Sequence, residues 1–316
     1  MQWKIARPSR FSDAFNRWAI RRGFPALAWI APRAPRWFLF AGARLVIGAV
    51  MALHRKPRRA IARNLARVLG SPETSPAVRG ASRRMIHHLA YYWVDLFRFA
   101  QLPTERTREQ LTERSIDALR TLQEAHAAGE RIILITAHLG NWELGAVLAG
   151  QAGLPVSVLY VPDQFGDAER FRSLLRGFGG IDEIPIRPEE RLASLPVLRA
   201  FGEGRLVALQ GDRDFNDRGL EVPFFGAPVR FPPGPFHLAR MTGARLWPVF
   251  IAYAEGYRFE IELGTPIEVT RSEDRERDVR DAIAAWTEVL ERAIRRWPDQ
   301  WYTFYDYWPE PAEATG

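Results

Sequence analysis

The sequence contains no cysteine, which excludes disulfides, thiolate-bound zinc and cysteine nucleophiles. Histidine is scarce, with six residues at positions 54, 87, 88, 126, 138 and 237. His87 and His88 are adjacent, and neighbours on a helix point about 100° apart, a poor arrangement for shared metal ligands. No spacing resembles a zinc site, so no metal ligand and no cofactor are expected. No serine stands in a Gly-x-Ser-x-Gly setting, so no nucleophile-elbow serine is expected. Residues 1–24 lack a signal-peptide pattern, because arginines interrupt each apolar stretch. Internal repeats, low-complexity linkers and an obvious interdomain boundary are also missing.

Acidic residues are nearly absent from the first 70 positions, where fifteen Lys and Arg face only Asp13. The remaining residues carry 29 basic and 36 acidic side chains. Such asymmetry points to an anionic partner for the N-terminal segment, either nucleic acid or an anionic membrane surface. The basic residues alternate with Trp18, Phe24, Trp29, Trp37, Phe38 and Phe40, a mixture suited to a lipid interface. No nucleic-acid-binding motif accompanies them, so no nucleic-acid partner is expected. The longest apolar run, residues 37–53, has Arg44 near its middle. Its length is at the short edge of what spans a bilayer, and a central Arg costs about 2.5–3.5 kcal/mol on insertion scales. An embedded or interfacial helix is favoured over a span, and a buried core helix is the alternative. Arg55-Lys56-Pro57-Arg58-Arg59 would then lie among cytoplasmic headgroups.

What is present is a folded globular composition, 47% hydrophobic and 26% charged over 316 residues, enough for one large or two small domains. Helical periodicity covers residues 59–69, 77–101 and 115–128. Tyr91, Tyr92, Trp93 and Phe97 read as a core stripe. Strands are expected at 131–135, 155–160, 184–186, 205–210, 246–251 and 257–263. Helices are expected at 167–178, 193–202, 235–242 and 278–296. This alternation predicts an α/β fold with a mostly parallel central sheet covered on both faces. The aromatic tail 297–308 should pack onto the domain. His237 is expected to be a packing residue.

Chemistry concentrates at Thr136-Ala-His138-Leu-Gly-Asn141-Trp-Glu143-Leu-Gly145, between a buried strand and a helix. Open α/β sheets commonly place ligands at such strand-to-helix turns. Asn141 is a plausible N-cap, which puts Glu143 in the first helical turn. On one helix His138 and Glu143 would diverge by roughly 140°. With His138 on the preceding turn, the carboxylate can reach an imidazole nitrogen and raise the basicity of the other. The same spacing also fits a structural histidine at a βα turn. Arg213 and Asp214 are expected to form a salt bridge.

His138-Leu-Gly-Asn-Trp-Glu143 resembles the His-x4-Asp/Glu signature of glycerolipid acyltransferases. Further elements follow in order: Arg63-Asn-Leu65, an arginine-bearing helix ending at Arg176, Gly211-Asp212-Arg213-Asp214 and Phe224-Phe-Gly226. They continue with Gly234-Pro235, Leu238-Ala-Arg240, Gly243-Ala244, Pro248 and Pro298-Asp-Gln-Trp301. Over about residues 35–308 the chain resembles the lysophospholipid acyltransferase-like superfamily, in the branch of lipid A late acyltransferases and phosphatidylinositol mannoside acyltransferases.

The resemblance implies a glycerol-3-phosphate acyltransferase-like fold, with residues 1–70 as a membrane-anchoring helical segment and 71–316 as the catalytic domain. It implies O-acyl transfer from an acyl thioester, on acyl carrier protein or coenzyme A, to a hydroxyl of a lipid or glycolipid. The place of reaction would be the cytoplasmic face of the bacterial inner membrane. His138 would be the general base and Glu143 its orienting carboxylate. Arg176, Asp212, Asn141 and Arg213 would be substrate-binding positions, with first-turn amides near Asn141 as oxyanion donors. The third block reads Gln210-Gly-Asp-Arg-Asp instead of Phe-Pro-Glu-Gly-Thr-Arg, which argues against lysophosphatidic acid as acceptor. A thioesterase or phospholipase using the same two residues on water is the alternative.

Overall fold

A computed structural model describes residues 24–99, 101–161, 181–186, 194–214 and 218–308. Helices α1 (Phe24–Ile30), α2 (Arg36–Leu53), α3 (Arg55–Leu69), α4 (Pro76–Phe99), α5 (Thr104–Arg108) and α6 (Glu113–Ala127) precede the first strand. Then come β1 (Ile132–Thr136), α7 (Trp142–Gln151), β2 (Val156–Tyr160), β3 (Asp182–Pro185), α8 (Leu195–Gly202) and β4 (Leu206–Gln210). The chain continues with β5 (Leu220–Phe224), β6 (Ala227–Phe231), α9 (Gly234–Thr242), β7 (Arg245–Tyr253), β8 (Phe259–Leu263) and α10 (Arg275–Arg296). The expected helix at 167–178, and Arg176 with it, lies outside the described residues.

Six strands form one sheet in the order β3-β2-β4-β1-β7-β8, parallel except for the β7–β8 pair. This is the mixed α/β architecture with a mostly parallel sheet that the alternation predicted. The central strand β1, Ile-Ile-Leu-Ile-Thr, is apolar on both faces because both are covered. Ile132 and Leu134 join a core with α4, α6 and α7. Ile133 and Ile135 join the opposite core with α9 and α10, which centres on Phe250 stacked on Trp286.

Two local readings change. Helix α3 begins at Arg55, four residues earlier than its periodicity suggested. Pro57 is tolerated because first-turn N–H groups have no intrahelical partner to lose. The segment 220–231 is a hairpin, β5 with β6, turning on Phe225 (φ 47°) and Gly226 (φ 74°). Positive φ at both central residues matches the strand twist, but Phe-Gly is not a usual signal for that turn.

The aromatic tail packs as expected, with Trp301 and Tyr302 almost fully buried. Asn64 on α3 holds it, donating to the Tyr305 carbonyl at 2.7 Å and accepting the Tyr307 N–H at 3.1 Å. Arg63 adds an exposed ion pair to Asp306 at 2.8 Å. His237 does not pack: Phe236 and Leu238 turn inward on α9 and leave it exposed.

Helix α2 is long and apolar enough to cross a membrane. Its first residue is fastened to the rest of the protein. Arg36 reaches the fully buried Asp95 on α4 at 2.7 and 2.9 Å, and donates to the Tyr257 carbonyl at 2.8 Å. Tyr253 on β7 donates its hydroxyl to the same carboxylate at 2.9 Å. Burial nevertheless pushes Asp95 above the ordinary carboxylate value against the pull of Arg36.

Candidate active site

The β1–β4 register builds the site. Thr136 pairs with Gln210 in parallel, and Gly211 N–H extends the ladder to the Thr136 carbonyl at 2.9 Å. Two residues further on each chain come His138 and Asp212. They are therefore level with one another and, by the period-two alternation of extended chain, on the same face. Ala137 and Leu139 take the other face in the α9–α10 core.

The geometry follows from that register. His138 Nδ1 lies 2.8 Å from Asp212 Oδ1, and the His138 backbone N–H donates to Asp212 Oδ2 at 3.0 Å. Asp212 is fully buried, while the His138 side chain keeps 13% exposure. For Asp212 burial is the largest single influence and acts upward. The charge and hydrogen bonds of His138, with nearby Arg213, outweigh it and hold the carboxyl down to about 2. For His138, burial dominates and lowers the imidazole below its ordinary value, against the upward pull of Asp212 and, more weakly, Glu143. A neutral ring beside an ionised carboxylate carries its proton on Nδ1, which leaves the Nε2 lone pair for substrate.

The carboxylate on Nδ1 is thus Asp212, whereas the sequence reading had given the orienting role to Glu143. Glu143 stands in the first turn of α7, where its charge is felt by the ring. Asn141 is fully buried and caps α7, accepting the Leu144 N–H at 3.4 Å and donating to the Tyr92 carbonyl at 3.3 Å. Its side chain is committed to the protein rather than to a ligand. Arg213 donates to the Tyr302 carbonyl at 2.6 Å and lies over the Tyr305 ring at 5.5 Å. Asp214 accepts the Gly219 N–H at 2.6 Å. Both therefore hold loops.

The tail closes the back of the site. Tyr302 N–H donates to the His138 carbonyl at 2.8 Å, and the Tyr307 hydroxyl donates to the Asp212 carbonyl at 2.5 Å. Gly140 sits at φ 65°, where an added Cβ would lie 1.9 Å from the Ile251 carbonyl oxygen. Only glycine lets this turn approach β7 so closely. These supports come from distant sequence, and no local pattern marked them. Among the described residues, no group of three or more His, Asp or Glu could hold a metal ion.

An apolar cavity lies between α7 and the same sheet face. Leu122, Leu134, Val158, Val249, Ile251 and Ile261 line its body. It exists because α7 turns Gly145, Ala146 and Ala149 toward the sheet; larger side chains would fill it. Thr136, Glu143, Tyr160 and Gln210 supply its polar residues, three of them at the C-terminal ends of β1, β2 and β4. Trp142 lines it as well, and its ring lies 5.1 Å from that of His138. Trp142 thus stands between the apolar cavity and the imidazole, whose free Nε2 is chemically able to take a proton from a hydroxyl.

Comparison with known proteins places the chain among acyltransferases. Phosphatidylinositol mannoside acyltransferase of Mycobacterium tuberculosis (strain CDC 1551 / Oshkosh) is 29% identical over 286 residues, 90% of this chain and 87% of its own. The protein of that name from Mycolicibacterium smegmatis is 28% identical over 269 residues, 83% of each chain. Lipid A biosynthesis acyltransferase of Haemophilus influenzae is 25% identical over 201 residues, 62% of this chain and 59% of its own. Residues 12–309 match the family described as bacterial lipid A biosynthesis acyltransferase. On that match the chain belongs to the bacterial lipid A biosynthesis acyltransferase family and is an acyltransferase.

Proposed function

We propose that the protein transfers a fatty acyl chain from a thioester, on acyl carrier protein or coenzyme A, to a hydroxyl of a glycolipid. The observation that carries this reading is the buried His138–Asp212 pair, set behind the Trp142 ring that lines an apolar cavity. The acyl chain occupies the cavity. His138 Nε2 takes the proton of the acceptor hydroxyl as its oxygen attacks the thioester carbonyl carbon. The tetrahedral intermediate expels the thiolate, which takes the proton back from the imidazolium. Asp212 holds the ring and stabilises that imidazolium. Glu143 adds negative charge beside it, and Arg176 is assigned to an anionic group of donor or acceptor. Neither cofactor nor metal has a step here. The fold is assigned to the glycerol-3-phosphate acyltransferase-like group.

Residues 1–70 serve as the membrane anchor of the catalytic domain, 71–316, at the cytoplasmic face of the inner membrane. Trp37, Leu45 and Leu53 on α2 are 72%, 77% and 82% exposed, which suits contact with lipid. Arg44, exposed on α2, lies near His87 and Tyr91 of α4, and its charge suits an α2 that rests in an anionic interface.

The test offers palmitoyl-coenzyme A and palmitoyl-acyl carrier protein to the purified protein, with and without phosphatidylinositol mannoside or under-acylated lipid A. Thiol release that requires a glycolipid and yields an acylated product is expected. Equal release without acceptor would replace this reading by a hydrolase acting on thioesters.

A further inference from the structure

One buried hydroxyl, on a residue that lines the cavity, has no counterpart in the steps above. Strand β1 is apolar until its last residue, Thr136, whose hydroxyl oxygen is shielded from solvent and has no hydrogen-bond partner among the described residues. A buried hydroxyl left unpaired is destabilising, so an apolar residue would serve the free protein better. Val would match its shape and favour the strand equally.

Position explains why a hydroxyl stands there. Leu134 and Thr136 both line the cavity, and the alternation of extended chain carries the same face on to His138. Two residues of strand advance about 7 Å. Thr136 therefore lies between the aliphatic body of the cavity and the imidazole. An acyl chain held in that body, with its carbonyl presented to an alcohol activated at His138, must bring the carbonyl past Thr136.

Resting on the acyl-transfer reading, we infer that the Thr136 hydroxyl donates a hydrogen bond to the carbonyl oxygen of the acyl donor. The bond strengthens as that oxygen gains negative charge in the tetrahedral intermediate. The step itself is unchanged: the C–O bond forms, the C–S bond breaks, and the proton passes from alcohol to Nε2 to thiolate. Thr136 keeps its own proton and acts as an oxyanion donor within a water-poor site.

Thr136→Val and Thr136→Ser separate this role from a structural one. Expected for Thr136→Val is a thermal midpoint equal to or above that of the wild type, because an unpaired hydroxyl has gone. Its kcat for transfer from palmitoyl-coenzyme A to phosphatidylinositol mannoside should fall about 100-fold, the scale of losing one oxyanion donor. KM for the donor should change little, and Thr136→Ser should recover most of the rate. A kcat for Thr136→Val within twofold of wild type overturns the inference, as does a fall that Thr136→Ser fails to restore. If the wild-type protein transfers no acyl group at all, the acyl-transfer reading fails instead, so the two failures are distinguishable.

Discussion

Asp212→Asn is the sharpest perturbation, because it keeps the shape of the side chain and changes only its charge and donors. Asp212 accepts the His138 backbone N–H through one oxygen and faces Nδ1 with the other. An asparagine meets the backbone donor with its carbonyl oxygen and so presents its NH2 group to the ring. The ring proton then moves to Nε2, and the lone pair aimed at substrate is lost. A wrong tautomer in such a pair lowers kcat by about 10³–10⁴, equivalent to roughly 4–5.5 kcal/mol in the barrier. A second signature concerns pH. Activity needs neutral His138, so the rate falls as pH drops through its pKa, which burial sets below the usual 6.5. Asp212 pulls that pKa upward, so Asp212→Asn moves the acid limb of single-turnover rate to lower pH. Glu143→Gln moves it the same way by less, since Glu143 contributes least among the groups acting on the ring. A plateau rate for Asp212→Asn within tenfold of wild type, or an acid limb shifted upward, would refute the reasoning.

Acid should weaken the fold through the same pair. Asp212, held to about 2 against an ordinary 3.8, contributes stability above pH 3.8 that disappears as pH falls toward 2; the amount is about 2 kcal/mol. The stability gap between wild type and Asp212→Asn, read by urea titration, should shrink by that amount between pH 5 and pH 2. His138 adds to the wild-type loss, because the unfolded chain takes up its proton first below pH 6.5. Arg36→Met removes the cation hydrogen-bonded to buried Asp95 and should cost about 3–5 kcal/mol in denaturant unfolding; a cost below 1 kcal/mol would show that Tyr253 and the nearby Arg98 suffice. Ala149→Phe fills part of the cavity, so competition between palmitoyl and octanoyl donors should swing toward octanoyl by about tenfold or more, an effect absent if the acyl chain lies elsewhere.

How much of this was legible in the residues depended on distance along the chain. Strands β1 and β4 announced themselves as apolar runs ended by Thr136-Ala-His138 and Gln210-Gly-Asp212, and α7 by its Asn141 cap. The pairing of His138 with Asp212 was not legible, because it requires β4 to lie next to β1 in the sheet while β2, nearer in sequence, lies beyond it. Glu143 was the nearest carboxylate in sequence, and local reasoning favoured it. The aromatic tail was expected to pack, yet nothing local told that Tyr302 and Tyr307 would hold the backbones of His138 and Asp212. His237 misled because its helix is mostly buried and a single outward position is invisible without the neighbouring elements. The hairpin at 220–231 escaped because Phe225 occupies a left-handed position that glycine or asparagine usually marks.

The central claim is that a neutral imidazole, aligned by Asp212, activates an acceptor alcohol beside a bound acyl chain. Its most direct test is the acceptor-dependent transfer rate of His138→Ala, measured with the thermal midpoint and vesicle binding of the same protein. The account predicts a rate lower by about 10³ or more, with midpoint and vesicle binding unchanged. Transfer retained within tenfold of wild type would contradict it.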